Sequence, residues 1–564
     1  MFHVEHSKTC EEIKAQSPLR MTYEMERQIE GNIVDIHHRD IFPGVVSVEN
    51  GRIVSIVRTA KRYDDYILPG FIDAHVHIES SMLTPLNFSR LVVSKGTVAI
   101  VNDPHEIANV LGKEGVDFML NESREALIKI FFTIPSCVPA TEYDFPGRRL
   151  LSDEVEELAK SGRFVGLSEM MNVPGVLQHQ LEPMRKISIA CRYGLPVDGH
   201  APGLMGADLR KYVQTGIFTD HECVTIDEAL EKINAGMKIL IREGSAAKNY
   251  EALKSLIASH PEAVMFCTDD AHPGDIVHIG HIDKMVRRAV SDGFDLFDVL
   301  KIACIHPVLH YHLPVGLLRV DDSADFIVVR DLKSFEVCSV YISGEEKYRS
   351  DMVFQPKKEF LASYPNQFAV NSIAESQLQQ AVSSENLCIG VKNGEIVTTK
   401  EVFSAKPAPN FQSDTEKDVL KVVYLNRYRN EKPQIAFIRG IGLKKGAFAT
   451  SISHDSHNII AVGCTDKELA LAINAIVAEK GGLSVVDQEA VSLLPLPIAG
   501  IMTDHNAIEV ARRWDELTEE LHRLGCLLDS PFMTLSFMAL IVIPELKIGE
   551  KGLFEYSSFR FLSE

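Results

Sequence analysis

The sequence predicts an α/β protein: a (β/α)8 TIM-like barrel inserted in a small β-sandwich, followed by a C-terminal α/β domain. Three observations carry this. Eight short apolar runs between Ile67 and His312 each end in polar residues and are followed by stretches of helical spacing. β-rich runs flank that region on both sides. A further α/β stretch near the C-terminus does not repeat the run-and-helix theme. With 564 residues and roughly 150 residues per domain, three or four domains fit, although one barrel can take about 250 by itself.

In chain order, residues 1–30 are polar and weakly patterned and are expected to form an extension. VVSVE and RIVSIV are joined by Asn50-Gly51, a strong hairpin signal, because both turn positions tolerate positive φ. The eight runs are 67–77 (ILPGFIDAHVH), 97–106, 129–137, 163–172, 195–203, 217–224, 237–245 and 263–273. Helical spacing fills 107–123, 176–193 and 227–235. A doubly wound open sheet is the alternative arrangement of such units. SADFIVVRD (323–331) and VCSVYISG (337–344) read as strands again, expected to pair with those before the barrel. The expected division is therefore a small discontinuous β domain (31–66 and 314–400), a barrel (67–313) and a C-terminal domain (401–564) with a helix at Lys467–Lys480.

Composition narrows the function. Hydrophobic residues make up 45% and charged residues 24%, as in an ordinary globular protein. Lys plus Arg is 58 against 78 Asp plus Glu, a net charge of −20, which disfavours a nucleic-acid polymer as partner. The ten cysteines form no C-x-x-C pair, which argues against a zinc ribbon or a disulfide framework. The first residues, MFHVEHSKTCEEIK, do not form a signal peptide, and the apolar stretch Met533–Pro544 is too short to span a bilayer. A cytoplasmic, soluble protein without membrane partners is expected.

The chemistry lies at the run ends, where barrel enzymes carry their functional residues. Run 1 ends in His75-Val76-His77, whose alternation puts both imidazoles on one face. Run 2 ends with Asp103, His105 and Glu106, run 4 with Glu169, run 5 with His200, run 6 with His221, and run 8 with Asp269-Asp270. One histidine at a strand end is most often structural. His75 and His77, Glu169, His200, His221 and Asp269, at the ends of five different runs, together suit a divalent-metal site. Asp270, His272, His278 and His281, just beyond the strand of run 8, fit substrate contacts and surface or capping roles equally. The cluster His454, Asp455, His457 and Asn458 fits either a loop over the barrel mouth or a hydrogen-bonded turn.

These residues also carry a resemblance. PGFIDAHVHIESSM is similar to the opening of the amidohydrolase superfamily barrel. Together with VNDPHEIANVLG, GLSEMMNVPGV, DGHAPG, TDHECV and CTDDAHP, and with SHDSHNIIAVG, LPLPIAGIMTD and PFMTLSFMALIVIPELKI near the C-terminus, it resembles the bacterial adenine deaminase family from about Ile33 to about Ile548. The resemblance implies deamination of adenine to hypoxanthine and ammonia in purine salvage and catabolism, with two divalent ions, Mn2+ first and Fe2+ or Zn2+ as alternatives. It implies that His75 and His77 hold one ion, Glu169 bridges, His200 and His221 hold the second, and Asp269 ligates and accepts the proton of the attacking hydroxide. Metal lowers the pKa of water enough to attack adenine C6. The acid for ring nitrogen N1 stays open among Glu79, Asp103, Glu106 and Asp270, with His105 a further substrate contact. Adenosine deaminases resemble H-A-G-E after run 5, whereas this chain has His200-Ala201-Pro202-Gly203. No Lys lies between Phe164 and Asn172, which disfavours relatives whose metals are bridged by a carboxylated lysine. An N-acyl amino-sugar deacetylase-like hydrolase and a non-catalytic purine-binding barrel are the alternatives. A homo-oligomer, a dimer, is expected.

Overall fold

The computed structural model describes residues 27–354 and 363–562; most of the expected N-terminal extension lies outside the described residues. Eight parallel strands form the barrel: β1 Phe71–Val76, β2 Thr97–Asn102, β3 Lys129–Ile134, β4 Phe164–Met170, β5 Val197–Gly199, β6 Thr219–Asp220, β7 Lys238–Arg242 and β8 Val264–Cys267. Strands β1 to β5 pair in sequence order, as do β6 to β8. Parallel bridges Val197↔Ile217 and Val76↔Asp269 join the two groups and close the ring, so the open-sheet alternative is excluded. All six residues of β1 and of β2 are buried, because a strand packed inside by the barrel core and outside by helices has no wet face. The helical stretch 107–123 is two helices, His105–Leu111 and Lys113–Glu122. They break at Gly112, whose φ of 62° is costly for any residue with a Cβ.

The strands flanking the barrel belong to one sheet. Tyr66–Pro69 runs antiparallel to Phe326–Val329 and parallel to Arg27–Asp35. The seven strands form a continuous sheet that also contains the Asp40–Glu49/Arg52–Arg58 hairpin. Asn50 and Gly51 have φ of 50° and 78°, the geometry that a two-residue turn needs. A Cβ on Gly51 would sit 2.7 Å from the Ser343 carbonyl oxygen. The sheet curls until this turn meets the segment before Phe326, with Ala324 N donating to Gly51 O, and so encloses its own core of Ile33, Val46, Ile53, Ile67 and Phe326. Residues 27–30, assigned by sequence to the extension, are already in this sheet.

The C-terminal domain is built on an eight-stranded sheet. Its strands Glu385–Gly390 and Thr399–Ser404 pair with each other, and the first pairs with Gln434–Arg439. Residues 385–400 therefore go with this sheet, whereas the sequence reading places them in the small β domain; the pairing partner lies too far along the chain for local pattern to reveal it. Alternation sorts its central strands. Val423 and Leu425 pack with the helix Asp466–Glu479. Val422 and Tyr424 turn to the other face and join the core shared with the barrel. The apolar stretch near Met533 forms the helix Pro531–Ser536 and a turn to Ile543, and this segment roofs the barrel mouth.

Candidate metal centre and active site

The C-terminal ends of the barrel strands converge on one buried carboxylate. Glu169, at the end of β4, splits its oxygens between two histidine pairs. Oε1 faces His77 Nε2 at 3.3 Å and His75 Nε2 at 3.9 Å. Oε2 faces His200 Nδ1 at 2.7 Å and His221 Nε2 at 3.2 Å. Asp269, beyond β8, puts Oδ1 3.1 Å from His77 Nε2 and 3.5 Å from His75 Nε2. Its backbone is tied to β1, with Asp269 N donating to His75 O and His77 N donating to Asp269 O. His77 is oriented from behind: its Nδ1 lies 3.0 Å from the Asp103 carbonyl oxygen, which leaves Nε2 for the site. All six residues are buried.

The donor set fits divalent metal. Imidazole and carboxylate donors of this kind suit first-row ions. The His75 Nε2 atom is buried with no hydrogen-bond partner, which is costly unless a cation or ligand meets it. Burial opposes ionisation of Glu169 and Asp269. His200 beside the first and Arg242 beside the second nevertheless hold both carboxyls well below the usual range.

Glu79 and Asp103, expected as substrate contacts, stand behind the cavity and support it. Asp103 Oδ2 lies 2.7 Å from His105 Nδ1, and Glu79 Oε1 accepts from Ile107 N at 3.3 Å. His105, Glu106 and Asp270 do line the cavity. Ser80 Oγ stands 2.9 Å from Glu106 Oε1 and 2.5 Å from Asp270 Oδ1. Burial and the charge of Asp269 push Asp270 up to about 6, and burial and Glu106 push Glu79 up to about 8. Glu106 is held low: burial would raise it, but His454 outweighs that. Of the histidines beyond β8, His272 packs on Trp514 with ring centroids 3.7 Å apart, His281 lies 3.0 Å from Asp73, and exposed His278 pairs with Asp515 at 2.9 Å.

Sequence reasoning missed two groups of residues. Glu222 and Arg242 form a buried pair in the site, with Arg242 Nη2 donating to Glu222 Oε2 at 2.9 Å and Nη1 donating to Asp269 Oδ2 at 2.6 Å. The odd charge in IREGS (241–245), where strand β7 ends at Arg242, is the available signal. The second group is the roof: Ile396, Phe537, Leu540 and Ile543, apolar residues with no chemical signature. The cluster at His454 is a closing loop. His454 Nδ1 lies 3.1 Å from Glu106 Oε1, and Asp455 Oδ1 lies 3.6 Å from His105 Nε2.

Comparison with known proteins shows the family. The amidohydrolase family model matches residues 66–347 and the adenine deaminase C-terminal domain model matches 395–560. An adenine deaminase of Methanosarcina acetivorans is 50% identical over 94% of this chain and 98% of its own length. The chain belongs to the adenine deaminase family. Another family member, from a Sulfurovum species, is 49% identical over 95% of this chain and 99% of its own. Among solved structures, a β-aspartyl dipeptidase of Fervidobacterium islandicum AW-1 is similar at TM-score 0.46 and 16% identity, covering 59% of this chain and 100% of that one. The family is hydrolytic, and the amidohydrolase match implies a divalent metal in the active site. Among the described residues, no helix is long and apolar enough to cross a membrane.

Proposed function

We propose that this chain hydrolyses adenine to hypoxanthine and ammonia, with His75, His77 and Asp269 holding one divalent ion, His200 and His221 a second, and Glu169 bridging them. The observation that carries the reading is the division of the two Glu169 oxygens between the two histidine pairs, which suits one carboxylate shared by two cations. Such ions supply a water ionised near neutral pH. The mixed imidazole and carboxylate donors accept manganese, iron or zinc, and manganese is the ion proposed.

The protein's own groups then divide the proton work. Asp269 Oδ2 is held by Arg242, so Oδ1, the oxygen on the His75 and His77 side, is the one that would both meet the ion and accept a proton as C6 becomes tetrahedral. Glu106 and Asp270, joined through Ser80, form an acid pair whose members are pushed in opposite directions. That is the arrangement expected of groups that hold one proton between them, and Asp270 is the proposed donor to N1. The roof of Ile396, Phe537 and Leu540 offers apolar surface to a planar base and excludes water.

The proposed units are a small β domain, the barrel and the C-terminal sheet domain that roofs it. The proposed setting is purine salvage in the cytoplasm by a homodimer, and sedimentation of the purified protein tests the assembly. The reaction is tested by a substrate panel with manganese-reconstituted protein: adenine, adenosine, an N-acetyl amino-sugar phosphate and dihydroorotate. Ammonia from adenine and none from adenosine is expected, because a site roofed by a second domain suits the base alone. Acetate from the sugar with no ammonia from adenine would replace this reading with a deacetylase.

A further inference from the structure

We infer that Glu222 is a ligand of the ion held by His200 and His221, an assignment that rests on the two-ion reading above. Glu222 directly follows His221, and in a regular strand neighbouring side chains point to opposite faces. Strand β6 stops at Asp220, however, so His221 and Glu222 both lie beyond the pleat. Both are buried and both face the cavity.

The distances from Glu222 to the two imidazoles are those between ligands of one ion. Glu222 Oε1 lies 3.4 Å from His221 Nε2 and 3.6 Å from His200 Nδ1. The same two nitrogens face Glu169 Oε2. Metal–ligand bonds of about 2.0–2.2 Å in a tetrahedral site imply ligand–ligand separations of about 3.3–3.6 Å. Glu222 Oε1 therefore stands where a fourth donor would.

Arg242 makes the arrangement two-sided. One buried guanidinium grips Asp269 Oδ2 and both oxygens of Glu222. On one side of Glu169 the donors are His75, His77 and Asp269. On the other they are His200, His221 and Glu222. Each side has two imidazoles and one carboxylate held by the same arginine, Asp269 through Oδ2 alone and Glu222 through both oxygens. A cation as buried as Arg242 next to two metal ions needs anions between, and these two carboxylates supply them.

The test is manganese binding to chelator-stripped protein, followed by calorimetry and by electron paramagnetic resonance. The wild type is expected to bind two ions and give an exchange-coupled spectrum. Glu222→Gln keeps the side-chain shape but removes the anion. It is expected to weaken the second ion by more than about 100-fold, beyond the roughly 10- to 100-fold that an outer-shell partner is worth, and to give the spectrum of an isolated manganese ion. Glu222→Asp keeps the charge with a shorter reach, and serves if Glu222→Gln does not fold; it is expected to weaken the second ion by several-fold. Glu222→Gln, folded by circular dichroism and binding the second ion within about 100-fold of wild type, or Glu222→Asp binding it within threefold if only that variant folds, overturns the assignment and leaves Glu222 as a counter-ion of Arg242 alone. A wild-type chain that binds only one ion overturns the two-ion reading, and this assignment with it.

Discussion

His454 Nδ1 lies 3.1 Å from Glu106 Oε1, and this contact joins the C-terminal sheet domain to the mouth of the barrel. Burial alone would lower the His454 imidazole, but Glu106 beside it pushes it up to about 9. The pair is therefore an imidazolium and a carboxylate, buried together. His454 also stacks on Phe537, with ring centroids 4.7 Å apart and planes 21° apart, so the loop and the roof hold each other. The barrel supplies the donors at its strand ends, and the C-terminal domain supplies the cover.

His454→Gln is expected to keep both metal ions while lowering adenine turnover by about 10- to 100-fold, because it removes the cation that sets Glu106 and leaves a buried carboxylate unpaired. Metal analysis alongside steady-state kinetics checks this. Loss of metal in this variant would show that the loop supports the donors themselves.

Glu169→Gln is expected to lose both metal content and turnover, the latter by at least about 10²-fold. A neutral amide cannot neutralise two cations that each meet one oxygen of the carboxylate. Retention of both ions at near-normal rate would remove Glu169 from the bridging role.

The strand ends were legible because chemistry and geometry coincide there. His75-Val76-His77 can present two imidazoles to one side only if it ends an inward-facing strand, and it ends β1. Glu169 and His200 could be assigned on the same ground. Glu222 could not, because alternation after His221 says it should point away, and only the early end of β6 reverses that. The roof was illegible for another reason. Phe537 and Ile396 are ordinary apolar residues whose place depends on the sheet of the C-terminal domain docking across the barrel. The pairing of Glu385–Gly390 with Gln434–Arg439 hid the domain boundary in the same way, since parallel partners share no local turn.

Asp144 gives a pH-dependent prediction outside the metal site. Burial pushes its carboxyl up to about 7, although Thr141 N and Oγ1 both donate to Oδ2. A folded-state pKa above the unfolded value means that the protonated form stabilises. That contribution is present below about pH 4 and is lost as pH rises through about 7. Asp144→Asn mimics the protonated group and keeps an acceptor for Thr141. It is expected to match wild type near pH 4 and to melt a few degrees higher at pH 8, which thermal denaturation across that range measures. A variant less stable at pH 8 than wild type would contradict the sign.

Asp269→Asn is expected to fold, to keep at least one ion and to lose about 10²- to 10⁴-fold in turnover, the usual worth of general acid–base catalysis. Asparagine can still offer an oxygen to a cation but cannot accept a proton at Oδ1. Turnover measured across a manganese titration separates the roles, since recovery to near wild type in excess manganese would make Asp269 a ligand only.

The central claim is that two divalent ions, shared through Glu169, make this site an adenine hydrolase. Titrating the stripped protein with manganese while following hypoxanthine formation from adenine tests it most directly. The account predicts that turnover rises until two equivalents per chain are bound and then levels off. Full turnover at one equivalent, or no hypoxanthine at any loading, would contradict it.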